Sequence, residues 1–79
     1  MKAFGYPEKK TKSGPWEMRE VTFVADPEMI RRLADFLEDA AARMESDGDR
    51  FDHLHLLDVW SAWGRGLPDV IVARPADAA

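Results

Sequence analysis

Apolar side chains recur at intervals of three and four residues between positions 26 and 45, and this spacing predicts an amphipathic helix. Asp26 supplies an N-cap acceptor, Pro27 presets the backbone at the first helical position, and Gly48 marks the end. The apolar stripe contains Met29, Ile30, Leu33, Phe36, Leu37, Ala40, Ala41 and Met44. Because chain entropy offsets most of what burial of this stripe contributes, the helix needs a packing partner.

Shorter apolar segments flank the helix and predict four strands. In chain order they span residues 2–6, 16–25, 51–58 and 70–74. The polar, proline-bounded residues between them predict an exposed hairpin loop at 7–15, a loop or single helical turn at 58–67 and a disordered tail at 75–79. We therefore expect one α+β domain over residues 1–79. Its four-stranded, mostly antiparallel sheet, in β-β-α-β-β order, has the helix packed on one face.

The alternation along the predicted strands divides the sheet into two faces. The expected contacts of the helix are Val21, Phe23, Leu54 and Leu56. The opposite face carries Phe51, His53, His55 and Leu57, a set that is not properly polar. A single helix cannot cover both faces, so either the tryptophan-bearing loops fold over the second face or it pairs with another molecule. Function is therefore expected on the face with the histidines.

Composition and charge exclude several classes of protein. The 79-residue chain has no cysteine, which excludes disulfides, thiolate catalysis and cysteine-ligated zinc. It also has no apolar run of membrane-spanning length and no signal-peptide pattern, so we expect a cytoplasmic protein with no membrane partner. Five basic and two acidic side chains give residues 1–19 a charge of +3, whereas six basic and thirteen acidic ones give residues 20–79 a charge of −7. This balance argues against nucleic acid as a partner, and the acidic surface either keeps the domain soluble or steers it toward a basic protein.

The densest polar cluster is Asp52, His53, His55 and Asp58. Two histidines separated by one residue on a strand place both imidazoles on one face about 7 Å apart, a spacing that metal sites use. A third ligand is missing from that face, since the two aspartates point to the other face of a regular strand. We expect neither a bound metal nor another cofactor, and no general acid-base catalysis, because so small a domain leaves little room for a pocket.

Two further sets of residues have competing interpretations. Asp47, Asp49 and Asp52 are spaced like the start of a calcium loop, but the run breaks at Phe51 into a predicted strand. Trp60 and Trp63 are three residues apart and are typical of either a core or lid, or of the anchors of a protein interface. The pattern alone does not separate these roles.

Several segments together resemble one protein family. They are EVTFVADPEMIRRLADFL at residues 20–37, FDHLHLLD at 51–58, the tryptophans of a WxxW-like pair, and PDVIV at 68–72. In this combination the chain resembles the immunity protein 32 family of bacterial polymorphic-toxin systems. The resemblance implies a small cytoplasmic protein, not an enzyme, that binds and neutralises a toxin made by the same cell.

An inhibitor needs a surface complementary to its target, and an acidic face with histidine and tryptophan suits a basic, nuclease-like toxin. We expect that surface to include Asp47, Asp49, Asp52, His53, His55, Asp58, Trp60 and Trp63. The main alternative is a module that forms a homodimer through its second sheet face. A small metal-binding protein that uses His53 and His55 is a further alternative.

Overall fold

The structure of the protein, a computed structural model, describes residues 1–8, 14–63 and 67–75. The strands are β1 (Phe4–Gly5), β2 (Trp16–Glu17), β3 (His53–His55) and β4 (Ile71–Ala73). The helices are α1 (Pro27–Asp47) and the single turn α2 (Leu56–Val59), with 3₁₀ turns at Gly48–Arg50 and Ser61–Trp63. The protein is thus α+β, as expected. In the described residues its strands form two separate two-stranded antiparallel sheets, β1–β2 and β3–β4.

Helix α1 begins and ends at the capping residues that the sequence indicates. Asp26 accepts a hydrogen bond on its Oδ1 from the backbone N–H of Met29 at 2.9 Å, and Pro27 is the first helical residue. At the other end, the N–H of Gly48 donates to the carbonyl of Met44. Gly48 has a φ of +56°, which a side-chain-bearing residue rarely adopts. The predicted helix is confirmed, with its end two residues later than expected.

The buried part of the helix is narrower than the apolar stripe of the sequence. Leu33, Phe36 and Ala40 are buried, whereas Ile30 and Leu37 remain largely exposed. The buried residues of α1 are those that contact side chains of other elements. Leu33 and Phe36 join a core cluster with Leu56 and Trp63, and the half-buried side chains around it are Met29, Leu54, Trp60, Val70 and Val72.

The β3–β4 sheet packs against that core with one face. Its register pairs His53 with Ala73, Leu54 with Val72 and His55 with Ile71. Leu54 and Val72 pack against the core cluster, so the two other cross-strand pairs lie on the opposite face. The predicted orientation of Leu54 toward the helix and of the histidines away from it is therefore confirmed.

Strand β3 is shorter than the sequence predicts, because the chain turns into α2 after three residues. The N–H of Leu56 still donates to the carbonyl of Val70 at 2.8 Å, but Leu56 then starts the helical turn and is buried completely. The expected helical turn is thus present, and it begins two residues earlier than position 58. Its early start directs Leu56 into the core while Leu57 remains exposed.

The single four-stranded sheet is not what the structure contains. Strand β2 pairs only with β1, through Phe4 opposite Glu17, and residues 18–26 belong to no strand. Val21 and Phe23 were expected against the helix but are 55% and 53% exposed. Alternating β-branched residues favour extended backbone, yet a strand forms only where another strand offers a hydrogen-bonded ladder. In the described chain β3 and β4 pair with each other alone, so this segment has no partner strand there.

Some expectations fall outside the described residues. Strands β1 and β2 are antiparallel neighbours, as a hairpin requires, but residues 9–13 of the predicted loop at 7–15 are not described. The same holds for residues 76–79 of the predicted tail. In the described ranges, no helix combines the length and hydropathy needed to cross a membrane.

Two phenylalanines test this description of the core. Phe36 is 3% exposed and Phe23 is 53% exposed. We expect Phe36→Ala to lower the free energy of unfolding by about 3–5 kcal/mol, because it leaves a cavity beside Leu56. Phe23→Ala should cost less than about 1 kcal/mol. Urea denaturation followed by circular dichroism measures both, and equal losses would mean that Phe23 packs in the core.

Candidate functional site

The exposed side of the β3–β4 sheet carries four side chains, His53, His55, Ile71 and Ala73, which we call the outer face. They share this side because residues paired across two antiparallel strands point in the same direction. Ile71 is 51% exposed and is the large aliphatic residue of this face. His53 and Ala73 are exposed as well and His55 is half-buried, whereas Phe51, which was expected on this face, is buried.

Each histidine of the outer face is held by a carboxylate. The Nδ1 atom of His53 lies 2.6 Å from Oδ2 of the adjacent Asp52. The Nδ1 atom of His55 lies 2.6 Å from Oδ2 of Asp69, fourteen residues further along the chain and two residues before β4. The His55–Asp69 pair is about one-third exposed, whereas Asp52 is almost fully exposed. The second pair is therefore the more shielded from water.

The carboxylate contacts determine which ring nitrogen carries the proton. An ionised carboxylate only accepts hydrogen bonds, so each Nδ1 must donate its proton to the aspartate. In the neutral ring this leaves the Nε2 lone pair of both His53 and His55 available as an acceptor or ligand. The two ring centroids are 5.0 Å apart, with an angle of 71° between the ring planes. The outer face therefore presents two adjacent imidazoles of one defined tautomer.

Charged side chains border the outer face at the end where α1 joins β3. Arg74 donates from Nη1 to the carbonyl of Asp49 at 2.7 Å, and its Nη2 lies 3.6 Å from the Asp49 carboxylate. Arg50 reaches the carbonyl of Asp47 through its Nε at 3.5 Å. Asp49, His53, Ile71 and Arg74 are among the residues that line a shallow depression here. The expected acidic turn is thus beside the outer face, with two arginines interspersed.

The remaining predicted partner residues occupy different positions. Asp58 is exposed on α2. Trp60 is half-buried, packs against Trp63 with centroids 5.5 Å apart, and has the guanidinium of Arg32 5.1 Å from its ring centre. Trp63 is only 6% exposed and donates from Nε1 to the carbonyl of Pro68 at 2.7 Å. The structure therefore assigns Trp63 to the core.

The outer face presents two imidazoles, each with its own carboxylate partner. In the part of the chain that the structure describes, no three histidine, cysteine, aspartate or glutamate side chains converge as a set of metal ligands. Asp47, Asp49 and Asp52 are not brought together as such a set. The geometry provides a surface with a shallow depression, an exposed Ile71, two imidazoles and a charged border.

Comparison with protein families identifies the chain. The model of the immunity protein 32 family matches residues 20–75, well over half of the sequence. The chain belongs to the immunity protein 32 family. The resemblance noted from the sequence is thereby confirmed, and membership implies an immunity protein. The matched region starts after β2 and contains α1, β3, α2 and β4, so the whole outer face lies inside it. No curated protein and no solved structure matches this immunity-family chain.

Three residues of the site were not identified from the sequence. Asp69 holds His55, Arg74 contacts Asp49, and Ile71 forms the apolar centre of the outer face. Each depends on the pairing of β4 with β3, and a pairing register cannot be read from one strand alone. The sequence did contain one indication of Asp69: it lies directly before an apolar run, so a carboxylate is expected near the start of that strand.

The two carboxylates offer a matched test of the histidine geometry. We expect Asp69→Ala to remove the Nδ1–H acceptor of His55, so that its neutral ring shifts toward the Nε2–H tautomer while His53 does not change. Asp52→Ala should affect His53 alone. Ring ¹⁵N chemical shifts, measured above the pH at which both imidazoles are neutral, report the tautomer of each histidine. Unchanged tautomers in both variants would contradict the two hydrogen bonds.

Proposed function

We propose that this immunity-family protein neutralises a cognate toxin by binding it through the outer face and its acidic border. The proposal is carried by one observation: an uncovered sheet face with an exposed aliphatic residue at its centre lies within the family-matched region. A free surface of this kind is a liability to a monomer and is expected where a protein meets a partner. The mechanism is surface complementarity and involves no catalysis.

The arrangement of the outer face resembles a small protein interface. Such interfaces have an apolar centre surrounded by polar side chains that hydrogen-bond at the edge. Ile71 supplies the centre, and His53 and His55 flank it across the strand pair. Both imidazoles are held in place by carboxylates before a partner arrives, which reduces the side-chain entropy lost on binding.

Charge favours a basic partner. Residues 20–79 carry six basic and thirteen acidic side chains, a balance of −7. Asp49, Asp52 and Asp69 lie at the outer face, Asp47 is the last residue of α1, and Asp58 is exposed on α2. An acidic surface accelerates association with a positively charged target and disfavours nucleic acid itself. A toxin with a basic, nuclease-like active site is the class that fits best.

The tryptophans differ in their proposed contribution. Trp63 supports the surface from the core, since its ring is buried and its indole N–H is engaged with Pro68. Trp60 offers a partly exposed ring beside Arg32 and lies at the edge of the proposed contact area. We therefore place the centre of binding at His53, His55 and Ile71.

Charge reversal tests the acidic border. The double variant Asp52→Lys with Asp58→Lys should weaken toxin binding at least about tenfold, about 1.4 kcal/mol, and abolish protection of cells that express the toxin. The candidate toxin is the product of the neighbouring open reading frame, and calorimetry with an inactivated form gives the affinity. Unfolding by urea checks that the variant remains folded.

The matched control changes the net charge equally on the exposed side of α1. Asp35→Lys with Glu38→Lys alters two exposed acidic residues on this helix. It should leave protection intact, apart from a modestly slower association. Equal losses of affinity and protection in the two double variants would show that the effect comes from net charge alone. Undiminished protection by the Asp52/Asp58 variant would mean that the toxin binds elsewhere on the protein.

A second test addresses the apolar centre. Ile71→Asp introduces a charge where we expect desolvation, so it should weaken toxin binding by a hundredfold or more, about 2.7 kcal/mol. Val24→Asp is the control, because Val24 is also aliphatic and is 93% exposed, outside the β3–β4 sheet. It should bind as the natural protein does.

Light scattering on the same variants distinguishes toxin binding from self-association through this surface. Toxin neutralisation predicts a natural protein that is monomeric at micromolar concentration before the toxin is added. A dimer that Ile71→Asp converts to a monomer would instead assign the outer face to self-association.

A further inference from the structure

The two histidines of the outer face have a feature that toxin binding does not require. Both rings use Nδ1 to donate to a carboxylate at 2.6 Å, and both therefore keep the Nε2 lone pair. Within the described residues, neither Nε2 atom has a hydrogen-bond partner. A histidine that binds a metal almost always donates its other ring N–H to a carboxylate, a carbonyl or water. His53–Asp52 and His55–Asp69 both have this arrangement.

The separation of the rings is the second observation. With a zinc–nitrogen bond of about 2.0–2.1 Å and a ring centre about 1.1 Å beyond the nitrogen, two imidazoles at the tetrahedral angle have centres roughly 5.2 Å apart. The observed centroid separation is 5.0 Å. Side chains two residues apart on a strand start about 7 Å apart at their bases, so the rings converge toward their ends. This convergence suits a shared ligand.

We propose that His53 and His55 bind one divalent transition-metal ion through their Nε2 atoms, with Asp52 and Asp69 orienting the rings. Imidazole ligands select zinc, copper or nickel over calcium and magnesium, which prefer oxygen ligands. The protein supplies two ligands, because the described chain contains no converging set of three. The ion keeps its other coordination positions on the solvent side, for water or for a donor from a second molecule. The inference does not depend on the toxin-binding function.

Zinc titration of the full chain tests the site. Ring ¹⁵N spectra should show the Nε2 resonances of both histidines shifting with zinc chloride in the micromolar range, while Nδ1 stays protonated. His53→Ala and His55→Ala should each remove saturable binding. Asp69→Ala should lower the zinc affinity about 10- to 100-fold, and Asp52→Ala should also lower it, because both aspartates orient the ligands. Asp58→Ala is the control and should bind zinc as the natural protein does.

Stoichiometry and ion choice complete the test. One zinc per chain indicates a site completed by water, and one zinc per two chains indicates a site shared by two copies; both outcomes support the two-histidine ligand set. Binding should weaken as the pH falls, since protons compete for Nε2. The proposal is overturned if zinc up to millimolar concentration leaves the Nε2 resonances unchanged. It is also overturned if calcium binds equally well, or if the histidine variants retain the natural affinity.

Discussion

Packing of Leu33 and Phe36 against Leu56 and Trp63 is the interaction on which the rest of the structure depends. A single helix is marginal in water, and a two-stranded ribbon of three residue pairs is no more stable alone. Each element becomes stable only where the other removes its apolar side from water. Leu56 is decisive here, because the turn from β3 into α2 carries its side chain between the helix and the sheet.

This constraint explains why the candidate site is a surface. The core occupies one face of the β3–β4 sheet, and the alternation of side chains then sends His53, His55 and Ile71 to the other. On that face His53 and Ile71 are exposed. Binding of another molecule is the function that we propose for this surface, and the family match implies an immunity protein.

Fixed imidazoles connect the two proposals. Rings held by Asp52 and Asp69 are pre-organised hydrogen-bonding groups for a protein partner, and the same restraint orients Nε2 toward a metal ion. The structure also leaves an apolar set exposed at Val21, Phe23, Val24, Ile30 and Leu37. Ile30 and Leu37 belong to the predicted stripe of α1, and nothing in the described chain packs on them closely enough to bury them.

Local patterns determined α1, its Asp26 and Gly48 caps, the α+β class and the outward orientation of the histidines, because capping and side-chain periodicity depend on neighbours a few residues away. The family resemblance could also be recognised from the sequence. The tertiary structure alone decided the division into two sheets, the exposure of Phe23, the burial of Trp63 and the pairing of His55 with Asp69. These features depend on which strands pair and in what register. Contacts between residues far apart in the chain determine that pairing.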